Sequence, residues 1–291
     1  MLLFLNLIII NTSNETSDSL SEIPRFRNDS INCYGNSLFQ CLNNIKRLNY
    51  FLKTNFRFPV YKELSDMFQK MKKFDYNVYF LKNHNTKDIE YDKKSKEPYT
   101  TNFYENFLFK NNSIDSVLDF SNHYNFLINF INIKGLNTGE ENDPIEFLEF
   151  LLQKCYTHDF YNETSFYDDF KIEFDGHLMN ILNFPISNIQ NELNEFFQYK
   201  PIRYFPKIAV IRFFYQPGNE NKSCLILKSI YIKNQKYSLN SLIINQRGFY
   251  GHFYAILNVN GVYFKADNEF VEKIDFLDER KGVYALFYEM E

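Results

Sequence analysis

The chain changes its hydrophobic period part-way along, and that change limits its architecture more than any other feature. In the first half, apolar residues recur at helical spacing. From about Lys207 onward they come in short runs rich in Ile, Val, Phe and Tyr. Asn36 to Leu52 places Leu38, Cys41, Leu42, Ile45, Leu48 and Leu52 on one helical face, and Ser113 to Ile131 repeats the pattern. A third helix is expected at Asp143-Pro144-Ile145-Glu146, where a capping side chain, a proline at the first helical position and a glutamate at the third coincide. Strands are expected at Lys207–Tyr215, Ser223–Lys233, Phe249–Val259, Val262–Ala266 and Val283–Tyr288, and the polar residues 84–103 as a surface loop. Helices first and a mainly antiparallel sheet afterwards predict an α+β domain, with a site in the cleft between the two lobes.

Asn260-Gly261 is a two-residue hairpin signal between apolar strands. With that turn, Val259 pairs with Val262, Leu257 with Phe264 and Tyr254 with Asp267. Residues two apart on a strand share a face, so His252 and Asp267 lie diagonally on one face, roughly 7–8 Å between backbones. A one-residue slip would separate them, and Asn268 falls on the other face unless a bulge intervenes. A carboxylate beside one imidazole nitrogen fixes the tautomer and leaves the other nitrogen to take a thiol proton. An ordinary hairpin with an exposed His and Asp is the competing reading. The other four histidines, His84, His123, His158 and His177, sit in loops, in a helix or in polar surroundings that suit structural or solvated roles.

Cys33 immediately precedes the first amphipathic helix. A thiol there meets unpaired backbone N–H groups and the positive end of the helix dipole, which favour the nucleophilic thiolate. A small buried side chain is the plainer role for a cysteine, and Cys41, on the apolar stripe, fits it. Cys155 ends a helix and Cys224 starts a strand, so neither has comparable activation.

Composition removes several classes of function. A net charge of −4 argues against a nucleic-acid partner, because binding phosphates needs clustered Lys and Arg. Four cysteines with no Cys-x-x-Cys pair make neither a disulfide framework nor a zinc ribbon, so reduced thiols are expected and no metal or cofactor. Residues 1–10 form an apolar run too short to span a bilayer. It lacks the positive start and the cleavage site of a signal peptide, so an N-terminal extension is the first reading and a signal segment the second.

The residues also carry a resemblance. Cys33-Tyr34-Gly35-Asn36-Ser37-Leu38-Phe39-Gln40-Cys41-Leu42 resembles the cysteine box of ubiquitin-specific proteases, Cys-Tyr-x-Asn-Ser-x-x-Gln. Gly251-His252-Phe253-Tyr254-Ala255 resembles that family's histidine box. Tyr263-Phe264-Lys265-Ala266-Asp267-Asn268 resembles the segment that carries its third catalytic residue. Asp143-Pro144-Ile145-Glu146-Phe147-Leu148, Pro206 to Phe213 and Tyr284 to Tyr288 are similar to three further blocks, in the family's order.

The resemblance implies a papain-like cysteine protease that cuts after the C-terminal glycine of ubiquitin, its partner free or attached to other proteins. It implies a helical thumb near residues 28–155, reduced fingers near 156–205 and an antiparallel-sheet palm near 206–288, within a catalytic domain over 25–291 that follows an extension over 1–24. Cys33, His252 and Asp267 take the catalytic positions, and Asn28, five residues before Cys33, takes that of an oxyanion donor, with Asn268 auxiliary. Asp143, Glu146, Gly251 and Phe253 fall where substrate is held. Asp143 and Glu146 read equally as a helix cap. Ser30, Ile31 and Asn32 depart from the family's loop before the nucleophile, and Glu141 and Asn142 replace two glutamines. The expected location is cytoplasm or nucleus, with secretion following if residues 1–10 act as a signal. A catalytically weak ubiquitin-binding scaffold and a secreted papain-like protease with another substrate are the rival readings.

Overall fold

The structure, a computed structural model, describes residues 33–55, 58–73, 121–131, 142–158, 165–214, 222–246, 251–268, 270–276 and 278–291. Asn28, the loop residues Ser30 to Asn32, Glu141, His84, the expected 84–103 loop, the start of the Ser113–Ile131 helix and residues 1–24 lie outside them.

Among the described residues, five helices come first: α1 (Cys33–Asn44), α2 (Lys46–Thr54), α3 (Pro59–Lys73), α4 (Ser121–Ile131) and α5 (Pro144–His158). The single helix expected over Asn36 to Leu52 is two, divided at Ile45, whose extended backbone (φ −77°, ψ 107°) starts α2 in a new direction. The apolar stripe survives the break because Ile45 and Leu48 are themselves fully buried. Helix α5 starts as its sequence requires. Asp143 Oδ1 accepts from the backbone N–H groups of Ile145 at 2.7 Å and Glu146 at 3.1 Å, satisfying donors that the helix cannot.

The strands β1 (Ile172–Phe174), β2 (His177–Met179) and β3 (Ile181–Pro185) are followed by α6 (Ile189–Phe197), β4 (Ile202–Tyr204) and β5 (Ile208–Phe214). Then come β6 (Ser223–Leu225), β7 (Ser229–Ile232), β8 (Gln235–Asn245), β9 (Phe253–Val259), β10 (Val262–Asp267), β11 (Phe270–Ile274), β12 (Glu279–Lys281) and β13 (Val283–Met290). The main sheet runs β11-β10-β9-β8-β13-β5-β3, with β7 also on β8. All its pairs are antiparallel except β3 with β5. Strand β3 comes from the segment expected to form fingers, so part of that segment belongs to the main sheet. Strands β2, β1 and β4 form a small separate sheet.

The sheet is buried on both faces, and its period-2 alternation sorts the side chains. Ile208, Val210, Ile243, Ala285 and Phe287 pack into one core with the helices, including Leu38, Phe39 and Leu148. Ala209, Ile211, Leu242, Ile244, Leu286 and Tyr288 face a second core with Ile189, Leu193 and Phe197 of α6. Each large apolar side chain so buried contributes about 1.5–3 kcal/mol.

Helix α1 fixes the functional geometry. Every residue from Cys33 to Leu42 is buried, so its polar side chains need partners inside the protein. At its C-terminal end, Asn44 Nδ2 donates to the backbone oxygens of Asn240 at 3.0 Å and Asn258 at 3.1 Å, pinning the helix across β8 and β9.

The turn between β12 and β13 depends on glycine. Gly282 has φ +71°, and a Cβ there would lie 2.4 Å from the backbone oxygen of Asn245, whose N–H donates to the Gly282 oxygen at 2.8 Å. Gly282→Ala is expected to destabilise the protein by about 2 kcal/mol or more, since backbone strain and an unrelieved contact add. A denaturant titration measures this, and an unchanged midpoint would show that the turn is not constrained.

Candidate active site

The hairpin forms with the two-residue turn. Asn260 and Gly261 both have positive φ, 52° and 86°, as a type I′ turn requires. Pairing runs from Val259–Val262 to Ala255–Ala266, the register that puts His252 and Asp267 on one face. The imidazole Nε2–H donates to Asp267 Oδ1, with the two side chains 28% and 17% exposed. Nδ1 is therefore the ring nitrogen left for another group. The Cys33 side chain is hydrogen-bonded to the imidazole. The thiol lies at the N-terminal end of α1, only 4% exposed. The structure thus brings together Cys33, His252 and Asp267, from positions as far apart as the first helix and the tenth strand.

The electrostatics follow from these contacts. The hydrogen bond to Asp267 is the largest influence on His252, then that with Cys33. Against the opposing effect of burial, they raise the imidazole to about 9. Burial alone would raise the Asp267 carboxyl, but the His252 hydrogen bond and charge, with help from Lys265, lower it below 3.8. Lys265 Nζ lies 3.4 Å from Asp267 Oδ2 and 3.7 Å from Glu272 Oε1, and 4.9 Å from the centre of the Tyr254 ring. Burial pushes the Cys41 and Cys224 thiols up to about 12, which makes them inert.

Asn268 departs from strand alternation. Its φ of +52° ends β10 in the left-handed region, which asparagine tolerates. Its side chain therefore returns to the site face: Nδ2 donates to Asp267 Oδ1 at 3.4 Å, and Oδ1 accepts from Asn36 Nδ2 at 2.8 Å.

The expected substrate-side residues divide. Phe253 is buried and packs edge-on against Tyr284, with ring centroids 5.3 Å apart, and Gly251 is buried just before β9. The Asp143 carboxylate is fully engaged by the chain itself. While Oδ1 caps α5, Oδ2 accepts from Arg212 Nη2 at 2.5 Å and from the Tyr284 hydroxyl. Of the two readings of Asp143, the helix cap is the one its contacts express. Glu146 is exposed on the first turn of α5, and Glu149, one turn on, is raised by burial despite the nearby Arg212 charge. The Tyr34 side chain is hydrogen-bonded to Asn142, which joins the residue after Cys33 to the start of α5.

Sequence reasoning singled out neither Asn36, Lys265 and Arg212 nor Tyr284 as individual side chains. All four lie inside quoted motifs, and Lys265 shares a strand face with Asp267, two residues on. Among the described residues, no three His, Cys, Asp or Glu side chains converge as metal ligands.

A family model described as ubiquitin carboxyl-terminal hydrolase matches residues 25–213. The chain belongs to that family. The match includes Cys33 and stops short of the hairpin, whose likeness rests on fold. No curated protein matches the chain in sequence. Among solved structures, an essential yeast splicing factor is similar at 14% identity and TM-score 0.60, over 93% of this chain and 70% of that one. The SAGA DUB module Ubp8/Sgf11/Sus1/Sgf73 bound to ubiquitin aldehyde is similar at 15% identity and TM-score 0.62, over 95% of this chain and 71% of that one. The same module bound to monoubiquitin gives 13% identity and TM-score 0.62, over 98% and 72%. These likenesses fit the α+β, papain-like architecture of this hydrolase.

The charged pair links stability to pH. Because the folded imidazole is raised, His252 stabilises the fold fully below its unfolded value of about 6.5, and that contribution is lost as pH rises through about 9. Asp267, lowered, contributes above 3.8 and loses its contribution as pH falls from there. NMR titration should find His252 near 9. Asp267→Asn should bring it down, and Lys265→Met should move it up by removing a competing cation. An imidazole that titrates in the ordinary range in the native chain would contradict the paired site.

Proposed function

We propose that this chain is a deubiquitinating cysteine protease, hydrolysing the peptide or isopeptide bond after the C-terminal glycine of ubiquitin. The observation that carries the reading is the convergence of Cys33, His252 and Asp267 in a member of the ubiquitin carboxyl-terminal hydrolase family.

Each residue has a role that its surroundings support. The imidazole, raised to about 9, is cationic through neutral pH, so it stabilises a Cys33 thiolate and holds a proton for the leaving group. The sulfur attacks the glycine carbonyl carbon, and the carbonyl electron pair moves onto oxygen. Asn28, which by the family resemblance takes the oxyanion-donor position five residues before Cys33, is assigned as donor to that oxyanion; a well-aimed donor of this kind contributes about 2.7–4 kcal/mol. As the intermediate collapses, the C–N bond breaks and His252 gives its proton to the departing amine. Water then attacks the thioester and His252 takes a proton from it. The C–S bond breaks to free the ubiquitin carboxylate and restore the thiolate. Asp267 keeps the ring oriented and stabilises its cation throughout.

Phe253, packed against Tyr284, and buried Gly251 are proposed to line the passage for the glycine tail. Exposed Glu146 supplies the acidic face for its basic residues, with Asp143 shaping that face as the cap of α5. We place the protein in cytoplasm or nucleus, where four cysteines with no Cys-x-x-Cys pair suit reduced thiols. No described helix is long and apolar enough to cross a membrane.

The test is reaction with ubiquitin carrying a C-terminal electrophile. The native chain should form one adduct at Cys33. Cys33→Ala should form none and should lose turnover by at least about a thousandfold, while ubiquitin binding stays measurable. Turnover that survives Cys33→Ala would remove Cys33 as nucleophile. Native protein that binds ubiquitin without forming an adduct would make the chain a scaffold.

A further inference from the structure

From the contacts at the N-terminal end of α1, we infer that Asn36 is a positioning residue, holding the Asp267 carboxylate in place through Asn268. This deepens the proposed hydrolase reading and rests on it.

Asn36 lies one helical turn after Cys33 and is 1% exposed; Asn268 is 7% exposed. Their hydrogen bond, Asn36 Nδ2 to Asn268 Oδ1 at 2.8 Å, joins residues 232 positions apart. It therefore ties the helix that carries the sulfur to the strand end that carries the carboxylate. The bond is also directional. An amide has donors at one end and an acceptor at the other. With its oxygen held by Asn36, Asn268 must turn its NH2 group towards Asp267, where Nδ2 lies 3.4 Å from Oδ1. That oxygen is also the one that accepts from His252. Reversing the Asn268 amide would set an acceptor against a carboxylate and a donor against the Asn36 NH2 group, so each link fixes the next.

The carboxylate thus has three donors: His252 and Asn268 on Oδ1, and Lys265 on Oδ2 at 3.4 Å. Lys265 is 29% exposed and shares its charge with Glu272, so it can be replaced by water. Asn268 approaches from the buried side, where an unmatched carboxylate lone pair costs more. Without Asn36, the Asn268 amide is free to turn and Asp267 loses the contact that opposes its rotation away from the imidazole. Helix α1 is still held by the Asn44 bonds and by its apolar burial, so the sulfur and the imidazole stay in place and the effect falls on turnover.

The experiment is a double-mutant cycle on the full chain, assayed with ubiquitin bearing a fluorogenic C-terminal amide. Asn36→Leu removes the donor at similar volume, and Asn268→Gly removes the amide while suiting the positive φ. Each single variant should lower kcat about tenfold or more with KM changed less than about twofold. Each should shift the alkaline limb of kcat by the same amount, and the double variant should be no worse than the poorer single. Losses that multiply, or that appear in KM, would overturn the proposal. Asn36→Ser, too short to reach Asn268, repeats the cycle should Asn36→Leu fail to fold, and failure of both to fold would assign Asn36 to the core instead. Cys33→Ala separates the two claims. Turnover that survives it removes the hydrolase reading of this site, whereas its loss alongside a multiplicative cycle removes only the role of Asn36.

Discussion

A buried helix that must satisfy its own polar side chains governs the rest of this molecule. Helix α1 has no solvent face over Cys33 to Leu42, so Asn36 and Asn44 can be accommodated only where the sheet offers partners. They find them at opposite ends of the helix, on the strand end at Asn268 and on the backbone of β8 and β9. Apolar burial supplies most of the energy, but it would tolerate some sliding of the helix along the sheet. Directional hydrogen bonds at both ends do not. The sulfur is placed over the imidazole because the helix cannot settle anywhere else.

The same economy of donors organises the neighbouring charges. Asp143 caps α5 with one oxygen and meets Arg212 and Tyr284 with the other. One carboxylate thereby joins the helical lobe to β5 and β13. Asp267 is arranged likewise, with an imidazole, an amide and an ammonium around it. Carboxylates held by several donors are inexpensive to keep ionised when partly buried. That is why the site can keep a charged pair where water has little access.

Much of this was legible in the sequence, and the parts that were not share a physical reason. The Asn260-Gly261 turn determines a register, and register alone places His252 beside Asp267. The start of α5 was readable because capping is local chemistry. Strand β8 was passed over, although it lies at the centre of the sheet. Its first half, Gln235 to Ser241, mixes Lys, Ser and Asn into the alternation, residues that suit a strand poorly unless tertiary partners take them up. Asn240 has such partners in Asn44 and Glu289, and no local pattern could announce them. The break at Ile45 was hidden because the apolar stripe continues through it. Asn268 returned to the site face because one residue took a positive φ, which strand periodicity does not encode. The Asn36 bond spans 232 positions, beyond the reach of any window.

The order of strands has a consequence for how such a chain matures. Strand β13 is the latest in sequence of those described, yet it lies inside the sheet, between β8 and β5. While it is missing, those two strands have no common neighbour and the hairpin bearing His252 has only half a sheet behind it. A chain emerging from a ribosome carries its sulfur early and its closing strand late, so vectorial synthesis leaves it inert until the middle of the sheet is filled. The topology thus makes closure of the sheet the last step in assembling the site.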